Sequence, residues 1–423
     1  MLVAQDQDAQ SRTARAAIDE RRSEMRDVLG TENDLPLLPR GTRIFFLIRS
    51  LERGGAERQL IELVDGLARA GLDLTVCTFY DGGALRRELA LIRGVNVVSL
   101  GKRGRWDVPT FLLRLGRAVQ AARPDVIHAY MGVANELSVL MAGLFGVRTV
   151  WGVRSSNMDF SHYDAFARRA FQIGALLSRF ADGIIVNSQA GWDHCALHGY
   201  PRDRMTVVHN GIDCERFRPD PLARSRVRAE LGVRLEQPLV ALVGRLDPKK
   251  DHVNFLNAAA LTRKRHPNAR FVCVGDGPIS YSRTLVAHAE ALGLTNDLIW
   301  LPARILVQEV YNAADVVVLS SAFGEGFPNV VAEAMACEKR CVVTNVGDAA
   351  VAVGDVGIIV PPRNPTSLAD GISCLLDLSE NEARAMERAA RQRIVNRFSK
   401  RQLAEATSTV LWKTLSSPRR TWR

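Results

Sequence analysis

No run of apolar residues in this 423-residue chain is long enough to cross a bilayer; the most apolar, residues 137–147, is bounded by Glu136 and Arg148 and falls well short of the roughly 20 residues a spanning helix needs. A secretory h-region is lacking too, because Asp6, Asp8, Arg12, Arg15, Asp19 and Glu20 interrupt the amino terminus, so a cytoplasmic protein is expected. Cysteine is sparse: Cys77, Cys195, Cys214, Cys273, Cys337, Cys341 and Cys374 are scattered, odd in number and without C-x-x-C spacing. They fit reduced thiols rather than a zinc site or a disulfide framework. No recognised nucleic-acid-binding motif accompanies the net charge of +10, which therefore points to acidic partners in general. The turn regions carry no D-x-D sequence of the kind that holds a divalent metal, so neither a metal nor a cofactor is expected.

What is present is the composition of a folded globular protein, 47% apolar and 24% charged, in a chain too long for one core. Residues 1–40 mix charges densely and include Pro36 and Pro39, the pattern of a loosely ordered leader. Order begins at RIFFLI (43–48), which runs through Gly54-Gly55 into a segment where Leu60, Leu63, Val64 and Leu67 fall at helical spacing. Further strand-like runs follow at 74–79, 95–100, 125–130, 149–154, 182–187 and 205–209. A polar, Arg-rich stretch with Pro219, Pro221 and Pro238 marks a boundary. A second series then runs through 239–244, 270–275, 298–301, 315–319, 341–344 and 357–361. Alternation of this kind predicts parallel sheets covered on both faces. The expected fold class is α/β, two Rossmann-like domains facing each other across a cleft, over 41–218 and 219–398. Residues 399–423 are expected to form a helix returning to the first domain and a basic tail.

Ligands of open parallel sheets sit at the carboxyl ends of strands. The stretch SAFGEGFPNVVAEAMA (321–336) places a Gly-rich turn and then a helix at such an end, with Glu325 and Glu333 eight residues apart. The N–H groups of Asn329, Val330 and Val331 would open that helix, a natural seat for phosphate. Alone, a pair of glutamates at this spacing is more often structural. Two other turns raise its standing: GRLDPKKD, where Arg245 and Lys250 stand five apart, and GDGP, where Gly275, Asp276 and Gly277 let a ligand approach backbone. On the first domain, Gly54, Gly55, His128 and Arg154 would crowd one edge, with a hydrogen-bonded core histidine as the equal alternative for His128.

The ordered set GGAER at Gly54, NGID at Asn210, GRLDPKKD at Gly244, GDGP at Gly275, EGFPNVVAEAMA at Glu325 and VGDAAVAVGDVGIIVPPRNP at Val346 resembles the retaining nucleotide-sugar glycosyltransferases of family 4, which have the GT-B fold. The resemblance covers the chain from about Arg43 onward. It implies that the first domain binds acceptor and the second binds the nucleotide-sugar donor. Glu333 then matches the acceptor of ribose hydrogen bonds and Glu325 the residue facing the transferred sugar's hydroxyls, with Gly326, Phe327 and Pro328 among the donor-binding residues. Arg245 and Lys250 match the pair neutralising the diphosphate at the helix opened by Asn329 and Val330. Gly54 and Gly55 match a loop closing over the phosphates, and His128 a histidine touching the sugar. Tyr130 stands where many members have a second histidine, Asp251 where many have Gly, and Pro302 in a turn that is often Gly. Glu325, Arg245, Lys250 and His128 are thus the expected catalytic groups of a metal-independent, retaining transfer.

The acceptor is less legible. Between 84 and 124, nine Lys and Arg side chains surround Trp106, Phe111, Leu112 and Leu113. That suits either docking on an anionic membrane surface, to reach a glycan or lipid-linked acceptor, or a solvated helix packed on the sheet. The leading reading is a hexosyltransferase of cell-surface polysaccharide or glycolipid synthesis. A nucleotide-sugar 2-epimerase and a non-catalytic nucleotide-sugar-binding protein are the other classes.

Overall fold

In a computed structural model, residues 38–52, 54–104, 107–154 and 165–418 are described. Most of the expected leader (1–37), Trp106 and the last residues of the expected basic tail lie outside them.

The first series is β1 (Arg43–Ile48), α1 (Gly55–Ala68), β2 (Asp73–Thr78), α2 (Arg86–Ala90), β3 (Val95–Ser99), α3 (Val108–Ala122), β4 (Val126–Tyr130), α4 (Gly132–Phe145), β5 (Arg148–Val153), α5 (Ala165–Ser178), β6 (Gly183–Val186), α6 (Gln189–Leu197) and β7 (Met205–Val207). The second is α7 (Pro221–Glu230), β8 (Leu239–Val243), α8 (His252–Arg265), β9 (Arg270–Val274), α9 (Ile279–Ala291), β10 (Leu298–Leu301), α10 (Val307–Ala313), β11 (Val316–Leu319), α11 (Asn329–Ala336), β12 (Arg340–Thr344), α12 (Ala349–Val353), β13 (Ile358–Val360), α13 (Pro365–Leu376), α14 (Glu380–Arg397) and α15 (Lys400–Ser416). The strands start and stop within a residue or two of the runs read from sequence.

All strand pairs are parallel, in the orders β3-β2-β1-β4-β5-β6-β7 and β10-β9-β8-β11-β12-β13. The architecture is the GT-B pairing of two Rossmann-like sheets. Each order reverses once, between β1 and β4 and between β8 and β11. At such a point the two flanking connections leave on opposite faces and open a crevice. In the second sheet the crevice is therefore bounded by the turn after β8, GRLDPKK, and the turn after β11, which carries Glu325.

Period-two alternation decides which helices cover which face. Leu239, Ala241, Val317, Leu319, Cys341 and Val343 point into one core with α7, α10, α11, α12 and α14. Val240, Leu242, Val316, Val318 and Val342 point into the other with α8, α9 and α13. Strands buried on both faces must be apolar throughout, which is why these runs could be read without a helix-like gap. Helix α15 packs on α1, β5 and β6 of the first sheet.

The basic stretch of the first series divides by burial. Phe111 and Leu115 are 4% and 0% exposed and belong to the core beneath α3, while Leu113 is exposed. More apolar surface lies on the neighbouring helices: Leu140 and Leu144 on α4 and Ile173 and Leu176 on α5 are all exposed. No described helix is long and apolar enough to cross a membrane.

Candidate active site

The turn after β11 is held in shape before any ligand enters. Gly324 takes φ +74, a left-handed conformation that glycine adopts without steric cost. Thr344 donates to the Ser321 carbonyl at 2.7 Å, and Asp348 N–H to the Gly326 carbonyl at 2.9 Å. Gly347, at φ +59, lies so close that a Cβ there would sit 2.2 Å from the Glu325 carbonyl oxygen. Phe327 is buried against His209 and Phe398, with ring centroids at 5.3 and 4.9 Å. Pro328 precedes α11 and no side chain caps the helix's first turn, which leaves the N–H groups of Asn329 and Val330 facing the turn. Val331 differs from expectation: its N–H already donates to the Pro328 carbonyl at 3.2 Å.

Glu325 is buried, and its Oε1 accepts from Lys250 Nζ at 2.5 Å and from Ser321 Oγ at 2.6 Å. Burial alone would raise this carboxyl, but the Lys250 charge and the two hydrogen bonds outweigh it and hold the group below the usual range. It is therefore a carboxylate at neutral pH. Lys250 is placed by a short 3-10 turn (Pro248–Lys250) capped by Asp247, and its carbonyl accepts from Ser320 at 2.7 Å, which ties the two crevice turns together. Burial lowers the neighbouring Lys249, and Lys250 lowers it further. Arg245 does not join this pair: its side chain is 74% exposed and stands 3.9 Å from Asp247.

The GDGP turn packs directly on this one. A Cβ on Gly275 would lie 2.0 Å from the Gly244 carbonyl oxygen, and one on Gly277 would lie 2.3 Å from that of Leu246. Asp276 accepts from Ala303 N–H at 3.2 Å through its carboxylate, while its carbonyl accepts from Leu246 N–H at 2.9 Å. These glycines serve close backbone approach.

From the first sheet, Gly54 precedes α1 in extended conformation and Gly55 opens it. A Cβ on Gly55 would lie 3.9 Å from Asn329 Nδ2, so this loop reaches the α11 amino terminus. Arg58, one turn along α1, donates to Glu333 Oε1 at 3.0 Å, and the Tyr311 hydroxyl donates to Glu333 Oε2 at 2.9 Å. Glu333 is consequently 3% exposed, with both oxygens engaged inside the protein rather than open to the crevice. A second chain crosses the same seam: Arg154 donates to the Tyr130 hydroxyl at 3.1 Å and to Asn210 at 2.7 Å, and Asn210 donates to Asn329 at 2.7 Å. Asp348 accepts from the N–H groups of Gln189 and Ala190, at 2.8 and 3.1 Å, at the start of α6.

His128 adjoins this seam through Tyr130, the two ring centroids lying 4.8 Å apart. It lies in β4 between Phe46 of β1 and Val150 of β5 in register, is 0% exposed, and donates from Nδ1 to the Val150 carbonyl at 3.0 Å. Burial drives its pKa down to about 3, so the ring is neutral. The Nδ1 bond is that of the core histidine alternative, while the buried Nε2 has no hydrogen-bond partner among the described residues.

Sequence reasoning missed Arg58, Tyr311, Ser321 and Asp348. Arg58 lies inside the GGAER motif and could have been singled out. Tyr311 carried no signal, because only the packing of α10 on α11 brings its hydroxyl to Glu333.

Comparison with known proteins adds the following. The family described as Glycosyltransferase Family 4 matches residues 53–216, and that described as Glycosyl transferases group 1 matches residues 223–393. The chain is 30% identical over 366 residues to a D-inositol 3-phosphate glycosyltransferase of Mycolicibacterium smegmatis, covering 80% of this chain and 82% of the relative. It is 29% identical to the protein of that name from Corynebacterium glutamicum, covering 80% and 87%. Among solved structures, Anabaena Alr3699/HepE in complex with UDP-glucose superposes with a TM-score of 0.76 at 23% identity, over 88% of this chain and 99% of that one. WaaG, a glycosyltransferase involved in lipopolysaccharide biosynthesis, superposes at 0.64 and 15%, over 89% and 100%.

Proposed function

The chain belongs to glycosyltransferase family 4 and is a glycosyltransferase, and on that footing we propose that it moves a sugar from a nucleoside-diphosphate donor to a glycan or lipid-linked acceptor with retention at the anomeric carbon. The observation that carries this reading is the Lys250–Glu325–Ser321 cluster beside the uncapped start of α11, at the carboxyl ends of β8 and β11. The solved neighbours that hold UDP and UDP-glucose support a nucleotide-sugar as donor.

Breaking the sugar–diphosphate bond leaves positive charge at the anomeric carbon and negative charge on the departing phosphate. Lys250, the Asn329 and Val330 N–H groups and a reoriented Arg245 would stabilise that phosphate, the role we assign them in place of a metal ion. The acceptor hydroxyl attacks from the face the diphosphate leaves, its oxygen bonding to the anomeric carbon while its proton passes to a phosphate oxygen. No carboxylate nucleophile is assigned: Glu325, already an ionised acceptor, receives hydrogen bonds from sugar hydroxyls, and Glu333 receives the ribose once Arg58 yields.

The exposed apolar faces of α4 and α5, in a chain of net charge +10, support docking on an anionic membrane where a lipid-linked acceptor would reside. The relatives' name makes a phosphorylated polyol the competing acceptor class. A thermal-shift panel of UDP-, GDP- and ADP-sugars, followed by turnover with and without candidate acceptors, tests the reading. Glu325→Gln and Lys250→Ala should each lower turnover by about 10²- to 10³-fold. Turnover unchanged in both variants would sink the assignment, and turnover independent of any acceptor would favour the epimerase class.

A further inference from the structure

One cavity in the second sheet's unit lies apart from the crevice at α11. It is a space of about 820 Å³ on the other side of the 322–325 turn, between the amino ends of α8 and α13. Because α8 and α13 cover the face opposite α11, this cavity and the α11 amino terminus lie on opposite sides of the sheet's carboxyl edge. Its volume is within the range of small-molecule sites, roughly 300–1,000 Å³.

The lining is chemically specific. Three cations, Arg245, Lys249 and Arg363, face it against two carboxylates, Asp247 and Asp251, both engaged by their side chains in capping backbone N–H groups, with Phe323 and the amides Asn254 and Asn257. Asn254 is 4% exposed, yet neither its Oδ1 nor its Nδ2 has a hydrogen-bond partner among the described residues. A buried amide with both ends unmatched is destabilising, so a side chain kept that way at a cavity wall is poised for a ligand. Asn257 is held through Oδ1 by His288 Nε2 at 3.0 Å, which leaves its amide nitrogen as a donor. Arg363 sits with its guanidinium 6.0 Å from the Phe323 ring centroid and takes φ +56, a left-handed conformation unfavourable for a residue with a side chain. Cations, amides and an aromatic ring lining one pocket suit a molecule with an anionic group and a ring of hydroxyls.

We propose that this cavity is a second ligand site that takes a phosphorylated sugar or polyol, separate from the nucleotide crevice and filled at the same time as it. Arg363 and Lys249 hold the phosphate, and Asn254 and Asn257 bind the hydroxyls. The site does not depend on the glycosyl-transfer reading.

Isothermal titration of the full chain with glucose 6-phosphate and with myo-inositol 1-phosphate tests this, alone and with UDP, GDP or ADP present at saturation. Binding of at least one sugar or polyol phosphate, undiminished by a nucleotide that itself binds, is expected. Arg363→Gln and Asn254→Leu should each weaken it roughly tenfold or more while leaving nucleotide affinity intact and without lowering the melting temperature, since Asn254→Leu removes no existing side-chain hydrogen bond. Displacement of the sugar phosphate by nucleotide would assign the space to the donor crevice and overturn the proposal. So would equal affinity for inorganic phosphate, absence of binding by both probes at millimolar concentration, or equal loss of both ligands in the variants. The variants are also compared with wild type in the absence of nucleotide, so the site is tested even in a chain that binds no nucleotide.

Discussion

Glu333 holds Arg58 through one oxygen and Tyr311 through the other, so a ribose bound there must replace a partner rather than fill a vacancy. Arg58 is the partner able to leave, being 30% exposed on the first sheet's helix α1, whereas Tyr311 is fully buried. Removing Arg58 would free Oε1 for ribose hydroxyls while withdrawing the charge that compensates a buried carboxylate. Arg58→Ala is therefore expected to bind nucleoside diphosphate several-fold more tightly and to be less stable by about 1–3 kcal/mol. Titration calorimetry and denaturant unfolding measure the two effects; weaker nucleotide binding would make Arg58 a ligand contact rather than a competitor. Tyr311 is the reciprocal case, its hydroxyl pushed well above its ordinary pKa by burial and by the Glu333 charge, so it acts only as a donor. Glu325 and Lys250 were legible from sequence because their turns carry glycine and proline at strand ends. The neutrality of His128 was not, because it depends on Phe46 and Val150 flanking it from two other strands.

Among the elements, α4 and α5 depart most from what a soluble helix presents. Helix α4 falls largely within the apolar run that sequence reading judged only by its shortness for a membrane span. Buried Ala134, Val139, Met141 and Ala142 account for one side, and exposed Val133, Leu140 and Leu144 form the other. Alongside α4, helix α5 exposes Ile173 and Leu176. Helix α3 meets α4 where a Cβ on Gly116 would lie 3.6 Å from the Phe145 ring, and the next residue on α3, Arg117, is exposed. Apolar side chains bordered by arginine are the composition of a surface that seats on anionic lipid headgroups. The protein is expected to float with vesicles containing anionic lipid, and Leu144→Asp combined with Leu176→Asp should abolish flotation without affecting turnover of a soluble acceptor. A wild-type protein left unfloated at low salt would refute the docking reading. Within the basic stretch at 84–124, Phe111 and Leu115 are buried and Leu113 is exposed, a division that sequence periodicity leaves open because it does not tell which apolar side of a helix the sheet covers.

At the scale of the molecule, the two sheets are joined by more than the crossing after β7. Lys400, at the start of α15, donates to Asp65 of α1 and to Asp213 beyond β7, each at 3.0 Å. Glu62 of α1 lies beside this cluster, and its pKa is raised to about 7 from 4.5, by burial first and then by Asp213, with Lys400 and Arg216 offsetting part of the rise. A carboxyl whose folded pKa exceeds its unfolded value binds more protons in the folded state between the two, so stability falls as pH rises from about 4.5 to about 7 and is level above. Glu62→Gln should flatten that slope and stabilise the protein above pH 7, with no gain below pH 4.5; denaturant midpoints across the range measure it, and parallel profiles for variant and wild type would remove Glu62 as the cause. By itself the sequence determined the two parallel α/β units, the order of their strands along the chain and the crevice turns with Glu325, Lys250 and the glycines, because these follow from local periodicity and backbone requirements. Tertiary structure alone decided that Glu333 is clasped by Arg58 and Tyr311, that His128 is neutral and enclosed, that Arg245 turns away from Lys250, and that Asn254 faces a second cavity. Each of those depends on groups far apart in sequence meeting in space, and the free energy of a buried charge or amide is set by such neighbours rather than by residue type.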